Sequence, residues 1–207
     1  MLPNYLPALE LAQRNLSALD PKLVAARSGA ELTDGEKSQE LHLKLFSQEY
    51  RIPLPEALAY SSATGAQAGI STTLLLLHYL TTADGSPSTG EWITFREIPG
   101  GDIYVRAFRQ QCVEPLIAAF GRHPEALEEA SPALGGRRDS MGDLSFVFQA
   151  LPRLPMACVL WLADEEQGAE VSLLFDAVAP RYLPTEDLAA LGRALTFGLI
   201  RSAGRKP

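Results

Sequence analysis

Residues 144–163 read LSFVFQALPRLPMACVLWLA, and this stretch decides the fold class of the chain. Its first part, 144–151, alternates large apolar residues with Ser145, Val147 and Gln149, which is the period-two pattern of a strand with one buried face. Its second part, 156–163, is apolar without a break, as is typical of a strand buried on both faces. Because only a short proline-containing link joins them, we predict that the two strands are antiparallel neighbours.

Two helices are predicted to pack around this sheet. Residues 70–82 are apolar nearly all round, so we expect a helix at the centre of the core. Near the end of the chain, Thr185 is the predicted N-cap of a second helix, and Glu186 and Asp187 favour its first turn because the helix dipole attracts negative charge there. The predicted buried stripe of this helix is Leu188, Leu191, Leu195 and Leu199.

The remaining segments predict shorter elements of both kinds. Residues 6–19 predict an amphipathic packing helix, residues 28–38 a loop, and residues 91–97 a strand. A strand is also predicted where leucines alternate with polar residues from Leu41 to Leu45, which places His42 on the outer face. A helix adjusted around Pro115 is predicted from the apolar residues Ile103, Ala107, Phe108, Cys112, Leu116, Ala119 and Phe120, and a further helical turn or two follows at 123–130.

Strands and helices therefore follow one another without regular alternation, which favours an α+β fold built on a mainly antiparallel sheet. With 207 residues, the chain fits a single domain, 1–207. Within it we expect an N-terminal helix and loop at 1–38 and the core at 39–200.

Composition excludes several classes of function. The formal net charge of −7 gives no general attraction to nucleic acid or to an anionic membrane surface. Two cysteines provide neither a disulfide framework nor the ligands of an iron–sulfur or zinc cluster. Residues 1–19 lack the pattern of a secretory signal, and no apolar run approaches the ~20 residues that cross a bilayer. We therefore expect a cytoplasmic protein without nucleic-acid or membrane partners.

A set of short motifs appears in fixed order along most of the chain. They are LHYL at 77–80, WITFRE at 92–97 with PGG at 99–101, GD at 142–143, PRLP at 152–155, Trp161 with DEE at 164–166, LFD at 174–176 and YLPTED at 182–187. Together, over roughly residues 41–199, this set resembles the family known as domain of unknown function 3786. The resemblance implies an uncharacterised domain of anaerobic bacteria and archaea, in which some relatives carry an added cysteine-rich iron–sulfur module. This chain has no such motif, and Gln167 and Gly168 stand where the resemblance implies an aromatic residue and a proline.

Much of the net negative charge is concentrated in one segment, 164–187, which contains seven acidic residues and one basic residue. Carboxylates placed close together would bind a divalent cation such as Mg²⁺, Ca²⁺ or Mn²⁺, recruit an arginine or retain a proton. The candidate metal ligands are Asp164, Glu166 and Asp176. The alternative is that these acids are solvated turn residues and partners of helix dipoles.

Further candidates lie outside this acidic segment. His78 lies in the apolar helix, where it is either a core histidine with satisfied nitrogens or a ligand or acid–base group beside Tyr79. Arg96 and Glu97 precede Pro99-Gly100-Gly101, a turn that can bring backbone N–H groups near an anion or can simply join a strand to a helix.

Two hypotheses of function follow. The first is an accessory or binding domain that holds a small molecule, cofactor or protein partner in a cleft, with a link to anaerobic cofactor or one-carbon metabolism implied by the resemblance alone. Its candidate ligand-binding residues are His78, Arg96, Glu97, Asp164, Glu165, Asp176 and Tyr182. The alternative is a carboxylate–metal enzyme in which Asp164, Glu166 and Asp176 hold the ion and His78 or Glu165 moves a proton.

Overall fold

A computed structural model describes residues 5–35 and 38–204. The helices are α1 (Leu6–Ser17), α2 (Pro21–Ser28), α3 (Ile70–Thr82), α4 (Gly101–Phe108), α5 (Glu114–Phe120), α6 (Pro124–Ala130) and α7 (Thr185–Ser202). The strands are β1 (Glu31–Asp34), β2 (Gln39–Leu45), β3 (Gln48–Pro53), β4 (Tyr60–Ser61), β5 (Trp92–Thr94), β6 (Arg137–Asp139), β7 (Leu144–Leu151), β8 (Leu154–Trp161) and β9 (Glu170–Asp176). Within these described ranges, no helix is both long and apolar enough to cross a membrane.

The α+β class and the antiparallel pairing of the strands are confirmed. The strands form two sheets, with the orders β1-β2-β3-β4 and β5-β9-β8-β7-β6. The predicted pair at 144–163 is present as β7 and β8, which are neighbours in the second sheet.

The chain divides into two compact units. The first consists of the described residues up to Pro87 together with Leu151–Arg153 and Arg181–Leu183. The second consists of Ser88–Ala150, Leu154–Pro180 and the described residues from Pro184 onward.

In the first unit, the sheet buries one face and leaves the other partly open. Leu41 and Leu43 of β2 are buried, and Leu41 pairs with the buried Ile52 of β3. His42 lies on the opposite face, as predicted, because successive side chains of a strand point to opposite sides. Helix α3 has the predicted bounds and buries nearly all of its apolar residues, so its assignment as a core helix is confirmed.

The hydroxyl of Tyr79 on α3 links three segments of the first unit. It donates to the carbonyl of Ser28 at 2.6 Å, at the end of α2, and accepts from the backbone N–H of Arg153 at 3.0 Å. The ring stacks on that of Tyr182, with centroids 5.6 Å apart. Arg153 also donates to the carbonyl of Ala26 at 3.1 Å, where a cation complements the negative end of α2. A fully buried phenol therefore has both hydrogen-bonding functions satisfied.

In the second unit, β8 is the central apolar strand. Residues 156–160 are all completely buried, so this part of the predicted strand 156–163 is covered on both faces. The prediction is wrong at the end of the segment: β8 ends at Trp161, and residues 161–163 are exposed because they lead into the turn at Asp164. Helix α7 buries Leu188, Leu191, Leu195 and Leu199 as predicted. The predicted N-cap is wrong by one residue: Pro184 holds that position, because the Thr185 hydroxyl donates instead to the carbonyl of Pro99 at 2.7 Å.

Several predicted elements differ from the structure. The expected loop at 28–38 contains β1, whose residues pair with β2; residues 36 and 37 of that loop lie outside the described residues. The predicted strand at 91–97 ends at Thr94, because the Thr94 and Glu97 side chains cap a 3₁₀ turn at Phe95–Glu97. The predicted amphipathic helix at 6–19 is present as α1 and ends at Ser17; it buries Ala12 and Leu16, whereas Leu6, Leu11 and, beyond its end, Leu19 are exposed.

The predicted helix at 103–120 is present but contains a wider turn. A π-helical segment at Arg109–Val113 joins α4 to α5 and ends two residues before Pro115, which has no N–H to continue the normal ladder. Phe108, Cys112 and Leu116 are buried, but Ile103 and Ala107 are exposed. Residues four apart lie on the same face of a helix, and Ile103 and Ala107 lie on a face that continues to the exposed Gln111. That face is adjacent to the buried one and is not part of it.

We expect Tyr79→Phe to lower the free energy of unfolding by about 1–3 kcal/mol, because it leaves the buried Ser28 carbonyl without its donor and the Arg153 N–H without its acceptor. Urea unfolding at neutral pH measures this loss. Tyr5→Phe is the matched control, since Tyr5 is exposed and its loss of a hydroxyl should change stability by less than about 0.5 kcal/mol. Equal stability of the two variants would contradict the role assigned to the Tyr79 hydroxyl.

Candidate functional site

Asp176, at the end of β9, is a buried structural carboxylate. Oδ1 accepts from the backbone N–H groups of Thr89 (3.0 Å) and Val178 (2.8 Å) and from the Thr89 hydroxyl (2.8 Å). Oδ2 accepts from the Gly90 N–H (2.8 Å) and from the Ser88 hydroxyl. Five donors thus surround the two oxygens, and the residue is only 1% exposed. The carboxylate fixes the segment at 88–90 against β9.

These contacts decide the charge of Asp176. Burial raises the pKa of its carboxyl, but the hydrogen bonds from Ser88, Val178 and Thr89 more than offset burial and lower the pKa to about 2. The side chain is therefore ionised at neutral pH, with its acceptor capacity already used by its own fold.

The Asp164–Glu166 segment forms an exposed turn after β8. Oδ1 of Asp164 accepts from the N–H groups of Glu166 at 2.8 Å and Gln167 at 2.7 Å. These backbone hydrogen bonds lower the pKa of Asp164. The Asp164 side chain therefore organises its own turn, in agreement with the alternative considered for it, while Glu165 and Glu166 are exposed.

The structure does not bring Asp164 and Asp176 together. The turn that contains Asp164 joins the end of β8 to the start of β9, since Trp161 pairs with Glu170, whereas Asp176 is the last residue of β9. Seven extended residues span roughly 20 Å, so the two carboxylates lie near opposite ends of the strand. Within residues 5–35 and 38–204, no group of three or more His, Cys, Asp or Glu side chains is placed to hold a metal ion.

Of the remaining candidates, Arg96 and Glu97 belong to the second unit and His78 and Tyr182 to the first. Glu97 accepts from the N–H and the hydroxyl of Thr94 at 2.8 and 2.7 Å, which lowers its pKa, and the neighbouring Arg96 is exposed. Tyr182 and His78 belong to the first unit, where the buried Tyr182 donates to the carbonyl of Ser86 at 2.5 Å and His78 is half-buried on α3.

The cysteines are poorly suited to nucleophilic chemistry. Both are buried as free thiols. Burial raises the pKa of Cys112 and of Cys158 to about 12, so both remain protonated at neutral pH.

A surface hollow that sequence reasoning missed lies between α4 and α7 in the second unit. We call it the aromatic groove, and it has a volume of about 280 Å³. Its lining residues are Phe95, Tyr104, Ala107, Phe108, Gln111, Thr185, Glu186, Ala189 and Arg193. The rings of Phe95 and Phe108 stack with centroids 4.1 Å apart and planes 1° from parallel.

Close packing holds the aromatic groove in shape. A Cβ atom at Gly192 would lie 2.7 Å from Cε2 of Phe108, so glycine allows α7 to approach this ring. On the polar side, Arg193 donates from Nη1 to Oε1 of Gln111 at 3.1 Å, joining α7 to the π-helical segment. The exposed residues Ala107 and Gln111 border this hollow. Because Ala107 was predicted on the apolar face of the helix, the sequence pattern carried no signal of the groove.

A second hollow lies on the outer face of the sheet in the first unit. We call it the sheet cleft; it has a volume of about 640 Å³ and is lined by Glu40, Arg51, Pro53, Glu56 and Tyr60 together with Gly35 and Ser38. The sequence did not predict this cleft, although it placed His42 on the outer face of the sheet. Nε2 of His42 lies 3.4 Å from Oε2 of Glu40.

The fold therefore defines an α+β protein with two antiparallel sheets and two surface hollows. The chain belongs to the family described as Domain of unknown function (DUF3786), whose model matches residues 20–197. Comparison with curated proteins and with solved structures gives no match. The family assignment predicted from the ordered motifs is therefore confirmed.

We expect Asp176→Asn to lower the free energy of unfolding at pH 7 by about 2 kcal/mol, which corresponds to a pKa roughly two units below its ordinary value. The carboxylate stabilises the fold above pH 3.8 and loses this contribution as the pH falls toward 2, so the difference from wild type should shrink between pH 4 and pH 2. Urea unfolding across this range measures both effects.

Asp164→Asn is the control, because Asp164 is an exposed carboxylate whose pKa is also lowered by backbone N–H groups. It should leave the free energy of unfolding nearly unchanged, because the exposed Asn side-chain oxygen can accept from the same two N–H groups. An Asp176→Asn protein as stable as wild type at pH 7 would contradict the anchoring role.

Proposed function

We propose that the chain is a cytoplasmic binding domain and that it holds a small amphipathic molecule in the aromatic groove. The observation that carries this proposal is the meeting of a stacked aromatic pair with convergent polar side chains in a partly enclosed hollow. Small-molecule sites commonly have this composition, with apolar walls and a few polar groups that orient the ligand.

The aromatic side offers a flat surface. Phe108 is 5% exposed and is fixed by Gly192 and by Phe95, so its position does not depend on a ligand. Tyr104 is 46% exposed, which leaves an aromatic ring at the rim available for contact. A flat apolar group bound here would cover the exposed part of Tyr104 and gain burial energy without rearranging the floor.

The polar side of the aromatic groove would determine the orientation of a bound ligand. The guanidinium of Arg193 is held by Gln111, and Arg193 is half-buried, so its positive charge is partly shielded from water. An anionic or strongly polar group on the ligand would pair with Arg193. Glu186 lies on the same lining and disfavours a ligand with several negative charges.

Charge and context support the proposed setting. A net charge of −7 disfavours nucleic acid and anionic surfaces as partners, in keeping with a small-molecule or protein partner in the cytoplasm. The family resemblance adds anaerobic cofactor or one-carbon metabolism as the proposed context. Affinity capture from a native anaerobic extract tests that context, and failure to recover any cofactor-bearing protein would count against it.

The proposed site can be tested with 1-anilinonaphthalene-8-sulfonate, a fluorescent probe with flat rings and one anionic group. We expect Ala107→Trp to fill the aromatic groove and weaken probe binding by about tenfold or more, which corresponds to at least roughly 1.4 kcal/mol. A fluorescence titration measures the dissociation constant.

Ala118→Trp is the matched control, since Ala118 is an exposed alanine on α5 outside the groove lining. Thermal unfolding of both variants shows whether each one folds. Unchanged affinity in a folded Ala107→Trp protein, or equal weakening in the Ala118→Trp protein, would contradict the proposed site.

A further inference from the structure

The sheet cleft places one arginine among several polar neighbours on the outer face of the first sheet. Arg51 of β3 pairs with His42 on one side and with Tyr60 of β4 on the other. Residues at paired positions point to the same face of a sheet, so these three side chains share the face opposite the buried Ile52.

Arg51 is held by two contacts that leave much of its hydrogen-bonding capacity for a ligand. Nη1 donates to Oε1 of Glu40 at 3.3 Å, and the guanidinium carbon lies 4.9 Å from the ring centroid of Tyr60. Side-chain exposure is 35% for Arg51 and 20% for Glu40. A guanidinium has five donors in a rigid fork, and the contact with Glu40 occupies one of them.

The charges around Arg51 restrict the anion that fits. A carboxylate can accept two parallel hydrogen bonds from a guanidinium, and so can a phosphate. Glu40 and Glu56 line the same cleft, so a dianionic phosphate would meet two like charges. Those two carboxylates would instead attract a cationic group on the same ligand.

We propose that the sheet cleft binds a small zwitterion of the α-amino acid type, with its carboxylate on Arg51 and its ammonium toward Glu40 and Glu56. The cleft volume of about 640 Å³ is within the usual size of small-molecule sites, roughly 300–1,000 Å³. This site lies in the first unit and is independent of the aromatic groove in the second.

The test begins with saturation-transfer NMR on the full chain, using free L-α-amino acids at millimolar concentration. The strongest binder is then titrated by calorimetry against wild type, Arg51→Gln and Arg138→Gln. Arg138 is a matched control because it also pairs with a carboxylate, Glu128 at 2.8 Å, and lies 5.7 Å from an aromatic centroid, that of Phe146. We expect about a tenfold or greater loss of affinity in Arg51→Gln and no change in Arg138→Gln.

A second measurement needs no variant. The N-acetyl and the carboxamide derivatives of the same amino acid each remove one charge, and each should bind wild type about tenfold or more weakly. The proposal is overturned if no amino acid binds, if either neutralised derivative binds equally well, if inorganic phosphate binds as tightly, or if a folded Arg51→Gln protein retains full affinity.

Discussion

The Tyr79 hydroxyl joins segments that lie far apart in the sequence. It bonds the end of α2 through Ser28 and the backbone of Arg153, while its ring stacks on Tyr182. Burial raises the pKa of this phenol, so it stays protonated and can keep donating over the physiological range. The short segments at 151–153 and 181–183 belong to the first unit, and both of them contact this tyrosine. The organisation of the first unit therefore depends on one buried polar group.

Apolar periodicity predicted those elements whose environment is simple. Residues 156–160 of β8 and the leucine stripe of α7 are both buried, because each pattern hides its apolar atoms in one arrangement, whereas the apolar residues 161–163 leave the sheet and are exposed. The ordered motifs also identified the family. The sequence was less informative where a side chain has more than one possible hydrogen-bonding partner. Thr185 bonds to the Pro99 carbonyl instead of capping α7, and Glu97 ends the predicted strand because it caps a 3₁₀ turn.

The candidate sites were harder to predict for the same reason. Acidic residues in sequence proximity suggested a shared carboxylate cluster, but Asp176 is surrounded by donors from 88–90 and Asp164 bonds to its own turn. The groups that line the two hollows are unremarkable one by one in the sequence. Arg51, Glu40 and Tyr60 become neighbours only through strand register, and Phe95 meets Phe108 only through the turn before α4.

The π-helical segment at Arg109–Val113 fixes the number of residues that the chain needs between Phe108 and Pro115. Residues four apart in an α-helix are displaced by about 40° around the axis, so a line through Phe108, Cys112, Leu116 and Phe120 would drift by roughly 120°. The wider turn reduces that drift, and all four residues are buried. Removal of a single residue between Phe108 and Pro115 would therefore rotate α4 against α5. This rotation would displace two residues of the aromatic groove, Ala107 and Gln111, together with the buried Phe108 and Cys112. We therefore expect this segment not to tolerate the insertions and deletions that a surface loop accepts.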